Sequence, residues 1–220
     1  MLPYTKCKYL IMFTDDMSRM RWIYALKSKD EAVGALEEFI KDVADPEGLC
    51  IGRIRCDGGG EFKGRFFELA ESLGIKVNTN APYIPQGNAI AERGFGIIIG
   101  ITRSLMLGAT HMPDQLWVEA AHAAVYVCNR TPSSALDGKT PWELWFDREL
   151  GSLKHVHEWG CTAFKHVEVR HRSGKLAPRG WGKVLPRGLQ QPQPHMAFMK
   201  PGEPYQDCQL WRGIIPRQSY

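Results

Sequence analysis

The sequence predicts an α/β fold built on a mixed sheet with a helix on either side. Short β-branched runs alternate with amphipathic helical stretches as far as residue 129. The helices carry one-sided apolar stripes, and clusters of Asp, Pro and Gly separate the elements.

Residues 8–14 and 20–26 read as two strands joined by the polar turn Asp15–Arg19. Ser28-Lys29-Asp30-Glu31 has the pattern of a capping box, a Ser with an acid three positions on. The helix it opens places Val33, Leu36, Phe39, Ile40 and Val43 on one face, and Asp45-Pro46-Glu47-Gly48 stops it. A strand at 52–57 is followed by a helix at 62–73 with Gly74 as terminator, then by a strand at 75–80. The helix expected at 88–107 sets Phe95, Ile98, Ile99, Ile101 and Leu105 toward the core. Gly94, Gly96 and Gly100 each cost it roughly 1 kcal/mol relative to Ala. A helix at 114–129 follows Pro113, buries Leu116, Val118, Ala121, Val125 and Cys128, and ends before Thr131-Pro132.

With 220 residues, the chain has room for one ordinary domain and a small one. A hydrophobic content of 44% with 24% charged residues fits a globular protein rather than a disordered chain. The net charge of +4 is mild, but its distribution is uneven. Lys154, Lys165, Arg170, Arg172, Lys175, Arg179, Lys183 and Arg187 are opposed only by Glu158 and Glu168. Such a stretch suits phosphate contact, and equally the solvated rim of a small β domain. Cys7, Cys50, Cys56, Cys128, Cys161 and Cys208 show no paired spacing, which favours free thiols in a reducing compartment. His155, His157, Cys161 and His166 lack a second Cys-x-x-Cys arm and read as scattered side chains rather than a zinc site. No signal peptide and no apolar run of the roughly 20 residues needed to span a bilayer is expected.

Two carboxylates carry the chemistry. Asp57 stands in Arg55-Cys56-Asp57-Gly58-Gly59-Gly60-Glu61-Phe62, and Glu92 in Tyr83-Ile84-Pro85-Gln86-Gly87-Asn88-Ala89-Ile90-Ala91-Glu92-Arg93. The first ends a strand and the second opens a helix. Carboxylates so placed can share a magnesium ion, which demands hard oxygen ligands. Two such ions about 4 Å apart clamp the attacking and leaving oxygens of a phosphodiester. Each residue also has a plainer role, Asp57 as a turn residue before glycines and Glu92 as a first-turn acid favoured by the helix dipole.

Together these motifs resemble those of the retroviral integrase catalytic core, in the version carried by copia-type LTR retrotransposons. Further similarity lies in Phe13–Arg19, Leu116–Ala121, Asn129-Arg130-Thr131-Pro132, Lys139–Trp145 and Trp159-Gly160-Cys161, in the family's order. The resemblance implies a ribonuclease H-like core at 1–150, a partial SH3-like β segment at 151–188, and a divergent or disordered tail at 189–220. It implies Asp57 and Glu92 as catalytic, Mg²⁺ or Mn²⁺ as cofactor, and DNA as partner, with Gln86, Asn88 and Arg93 in contact. It also implies a homo-oligomer acting in the nucleus or cytoplasm, which trims DNA 3′ ends and joins them to a target.

Two departures qualify the match. The interval from Asp57 to Glu92 is one position short of the family's usual spacing, a difference that the loop at 61–65 can absorb. The triad's first Asp belongs to a central strand upstream of Lys8–Thr14, so the sequence reads as amino-terminally truncated. Asp15 and Asp16 match the family's turn rather than its metal site. Loss of a central strand removes ladder partners from the strands of Ile11 and Ile54, at about 1–3 kcal/mol for each buried unpaired group. The expectation is a fragment that folds poorly alone or borrows a strand. Three functions follow: an integrase fragment, a degenerate remnant that only binds nucleic acid, or an unrelated small-molecule binder with an anion loop at Gly58–Gly60. Glu61 would repel an anion from that loop.

Overall fold

Strands β1 (Tyr9–Asp15) and β2 (Arg21–Leu26) pair antiparallel, with Tyr9 opposite Leu26 and Thr14 opposite Arg21. The computed structural model describes residues 6–56, 59, 62, 64–79, 89–166, 180–184 and 208–214, the strands beyond residue 161 by their backbone. The turn between β1 and β2 is fixed from within. Buried Asp15 accepts from Ser18 N at 2.7 Å and from Ser18 Oγ at 2.6 Å through one carboxylate oxygen.

The helix α1 (Ala32–Phe39) continues into a single π turn at Ile40–Ala44. The capping box expected at Ser28 does not form. Ser28 makes no side-chain cap bond, and the Glu31 carboxylate accepts from Lys27 N at 2.7 Å instead, ahead of a short 3₁₀ turn. Strand β3 (Arg53–Cys56), helix α2 (Arg65–Ser72) and strand β4 (Lys76–Thr79) follow, with β3 and β4 parallel. Gly74, at φ +72°, ends α2 as expected, and Ile75 N closes back on Ala70 O at 2.8 Å. Helices α3 (Ala89–Gly108), α4 (Trp117–Asn129) and α5 (Pro141–Phe146) complete the core. Strands β5 (Thr162–His166) and β6 (Gly180–Val184) form a separate antiparallel pair.

The main sheet has the order β2-β1-β7-β3-β4, where β7 is Cys208–Ile214. The tail expected to be divergent or disordered therefore supplies the middle strand. It runs antiparallel to β1, from Tyr9 opposite Ile214 to Asp15 opposite Cys208, and parallel to β3, with Ile54 opposite Cys208. The physical reason is the unpaired N–H and C=O groups that β1 and β3 would otherwise turn toward each other in the middle of a sheet. Ile11 and Ile54, whose strands were expected to lose their partners, both lie in ladders with β7.

Two cores sandwich the sheet. On one face Ile11, Phe13, Trp22, Ile54 and Cys56 meet α1, α2 and α5. There Phe13 stacks on Phe39 at 4.4 Å, and Trp22 meets Trp145 edge-on at 4.7 Å. On the other face Leu10, Met12 and Ile23 meet Phe95 and Ile98 of α3 and Ala121, Ala124 and Val125 of α4. Ile99, Ile101 and Leu105 border this second core, as the periodicity predicted.

Candidate functional site

The strand bearing the first motif ends at Cys56, which is fully buried beside Ile54 in the α1–α2 core. Arg53 and Arg55 alternate to the opposite face, the one that α3 covers. Phe62, also fully buried, packs on Phe66 at 5.3 Å and donates its N–H to Gly59 O at 3.2 Å. The motif is thus held at both ends by buried side chains, Cys56 before it and Phe62 after it. Asp57 itself lies outside the described residues.

Glu92 is in the first turn of α3, where its carboxylate faces solvent near the positive end of the helix dipole. Arg93 beside it is exposed as well. Ala91, Gly94, Phe95 and Ile98 are the buried residues that fix this orientation. Gln86 and Asn88 lie outside the described residues. Of the five sequence-predicted site residues, Glu92 and Arg93 are therefore placed, and they are neighbours on one helix. Among the described residues no group of three or more His, Cys, Asp or Glu side chains could hold a metal ion.

The two acids of the β1–β2 turn have structural duties. Asp15 is occupied by Ser18, and Asp16 pairs with Arg19 at 2.8 Å and lies 3.8 Å from Arg55. Asp16 thereby ties the turn to β3, one strand beyond β7. His155, considered for zinc, hydrogen-bonds through Nε2 to Tyr126 OH, whose ring carries the Arg130 guanidinium 3.6 Å from its centroid.

Arg21 escaped sequence reasoning. It is 8% exposed, it leans on Gly94 of α3, and its Nη1 donates to Cys128 Sγ at 2.8 Å. Its backbone N–H donates to Asn129 Oδ1 at 3.1 Å, and its carbonyl accepts from Asn129 Nδ2 at 2.8 Å. A buried cation joining β2, α3 and α4 sets how α3, and hence Glu92, sits on the sheet. A basic residue at the start of a strand gives no local signal of such burial.

No family model matches the chain. Over 167 residues it is 38% identical to the retrovirus-related Pol polyprotein from transposon TNT 1-94 of Nicotiana tabacum, a match covering 76% of this chain and 12% of that protein. Over 165 residues it is 28% identical to the Pol polyprotein from transposon RE2 of Arabidopsis thaliana, covering 75% and 11%. The chain is a homologue of plant transposon Pol polyproteins. It spans about a tenth of the length of these curated relatives. Among solved structures, this Pol homologue superposes on a chain of the simian T-cell lymphotropic virus intasome in complex with PP2A regulatory subunit B56 gamma. That match has a TM-score of 0.54 at 21% identity, covering 82% of this chain and 63% of that one. The shared feature is the ribonuclease H-like fold of integrase catalytic cores. The HTLV-2 integrase catalytic core domain in complex with magnesium matches with a TM-score of 0.47 at 25% identity, covering 64% of this chain. Among the described residues no helix is long and apolar enough to cross a membrane.

Proposed function

We propose that the chain is a nucleic-acid-binding fragment of a copia-type DNA-integration protein, with Asp57 and Glu92 belonging to one divalent-cation site. The observation that carries this reading is homology to Pol polyproteins joined to an integrase-core fold, with Glu92 held outward on a helix packed over the sheet. Cys56, the residue before Asp57, ends a strand of that same sheet.

The donor chemistry fits a hard cation, since both candidates are carboxylates. Asp57 and Glu92 would hold Mg²⁺ or Mn²⁺, which when bound polarises a phosphodiester oxygen as a Lewis acid. The chain's own residues do the rest. Arg93 and, in this reading, Gln86 and Asn88 contact the DNA backbone, while Arg21 keeps α3 and its first turn in place on the sheet. In this reading the pair β5–β6 belongs to a partial SH3-like segment at 151–188, and the basic residues of that segment add phosphate contacts.

One observation favours the second reading, a remnant that binds nucleic acid without catalysis. The middle strand β7 reads Cys208-Gln209-Leu210-Trp211-Arg212-Gly213-Ile214 and contains no carboxylate. Two carboxylates hold a pair of divalent ions poorly, so the chain by itself is expected to bind DNA but not to join strands. The test measures duplex binding by fluorescence anisotropy across salt, and strand transfer with Mg²⁺ or Mn²⁺. The chain is assayed alone and fused to an upstream segment that supplies a further carboxylate. Salt-sensitive binding by the chain alone, with strand transfer only in the fusion and abolished by Asp57→Asn or Glu92→Gln, supports the integrase-fragment reading. Binding with an inactive fusion selects the remnant. Absence of DNA binding at low salt overturns both.

A further inference from the structure

The middle of the main sheet is occupied by the strand most distant in sequence from its neighbours. β7 pairs with residues 9–15 on one side and with Ile54 and Arg55 on the other, and its ladders are all long-range. Nothing in the pairing itself therefore distinguishes a β7 of the same chain from that of another. The slot between β1 and β3 is a template of backbone donors and acceptors, and an identical template exists on every copy.

The connection makes exchange feasible. Residues 185–207 separate β6 from β7, and these 23 positions include Pro186, Pro192, Pro194, Pro201 and Pro204. Twenty-three residues reach at most about 80 Å by covalent geometry, a span that allows β7 to reach the slot of a neighbouring copy. The two seams are also unequal. β7 is registered with β1 along its whole length, from Cys208 to Ile214, but with β3 only at Cys208 and Gln209.

We propose that the β1–β3 slot is a strand-exchange site whose alternative occupant is the Cys208–Ile214 strand of a second copy of this chain, giving a reciprocally swapped dimer. The interface is isologous, since each copy donates its tail strand and accepts the other's. It rests on backbone pairing and not on where Asp57 or Glu92 lies. Exchange requires opening the sheet, so the swapped form arises when chains fold together at high concentration and is then kinetically trapped.

The test uses full-length chains with the exposed Cys50 and Cys161 replaced by Ser. Directly opposed residues of an antiparallel pair lie about 4.5–5.5 Å apart at Cα, within disulfide reach. One chain carries Met12→Cys and another carries Trp211→Cys, positions that face each other across β1 and β7. Leu10→Cys with Gly213→Cys is an independent pair at the same seam, in case loss of Trp211 impairs folding. The partner chains are co-refolded at micromolar and at near-millimolar concentration, oxidised, and mapped by mass spectrometry. The proposal expects an interchain 12–211 or 10–213 disulfide whose yield rises at least several-fold with refolding concentration. Light scattering is expected to show dimers in parallel. A double Met12→Cys/Trp211→Cys chain that crosslinks only within itself at every concentration overturns the proposal. So does the absence of any crosslink at both pairs, which would remove β7 from the slot.

Discussion

Gly94 on α3 lies against the guanidinium of Arg21 on β2, so near that a Cβ at position 94 would come within 2.8 Å of Arg21 Nε. Of the three glycines that weaken α3 on propensity grounds, this one has a packing reason. Gly96 and Gly100 face open space. Gly96→Ala and Gly100→Ala should each stabilise the chain by up to about 1 kcal/mol. Gly94→Ala should instead destabilise it by about 1 kcal/mol, because displacing a buried side chain costs about 1–3 kcal/mol and outweighs the helix gain. In an Arg21→Met background the Gly94→Ala penalty should vanish. Urea midpoints of wild type and these five variants, Arg21→Met alone and with Gly94→Ala included, check this, and equal behaviour of all three alanines would refute it.

Asn129 closes the outer edge of the sheet. It is fully buried and uses its amide oxygen and nitrogen on the backbone N–H and C=O of Arg21, on the edge strand β2. Asn129→Ala should leave both backbone groups without a partner, at about 1–3 kcal/mol each. A total loss of about 2–4 kcal/mol is expected, with Asn129→Asp intermediate because it keeps the acceptor and loses the donor. A change below about 0.5 kcal/mol in chemical denaturation would show that water replaces the amide.

These contacts show what local pattern can and cannot carry. β1 and β2 were legible because apolar residues alternate around a polar turn, and α3 because Phe95 and Ile98 recur at helical spacing. The Ser-x-x-Glu pattern at 28–31 was misleading, since the same carboxylate found a nearer donor at Lys27 N. Thr140 to Glu143 has an equivalent pattern and does form the box, with Pro141 setting the first helical position. Arg21 was invisible because its burial depends on two helices more than 70 residues away. β7 was invisible for the same reason, since its partners lie at residues 9–15 and 54–55. At the site, Glu92 was readable from its motif and its place in a first turn, whereas its exposure follows from Ala91, Gly94 and Phe95 packing on the sheet.

Gly160, in the Trp159-Gly160-Cys161 motif, has φ +79°, and a Cβ there would meet Ala109 Cβ at 2.8 Å. Its carbonyl accepts from His111 Nε2 at 2.9 Å, pinning the turn that follows α3. Gly160→Ala combines a left-handed backbone penalty of about 1–2 kcal/mol with a steric one of about 1–3 kcal/mol. A loss of about 2–4 kcal/mol is expected, with hydrogen exchange at residues 109–112 accelerated. Unchanged protection there would show that the segments are not coupled.

The Thr140–Glu143 capping box should give the chain a specific acid sensitivity. One Glu143 carboxylate oxygen accepts from Thr140 N and Thr140 Oγ1, each at 2.8 Å, and the other accepts from Leu150 N at 3.3 Å. These bonds, led by the one from the Thr140 backbone, hold the Glu143 carboxyl below its ordinary value of 4.5. A folded-state value lower than the unfolded one means the contribution is fully present above about pH 4.5 and fades as pH falls through the lower folded value. The stability difference between wild type and Glu143→Gln should therefore be constant from pH 7 to about 5 and shrink below that. Thr140→Ala should cost about 1 kcal/mol at neutral pH, the usual worth of such a cap. Trp145 of α5, packed against Trp22, provides a fluorescence signal for the thermal melts. A Tm difference between wild type and Glu143→Gln that stays the same from pH 7 to pH 3 would mean that the carboxylate's bonds do not stabilise the fold, leaving α5 held to β2 by tryptophan packing alone.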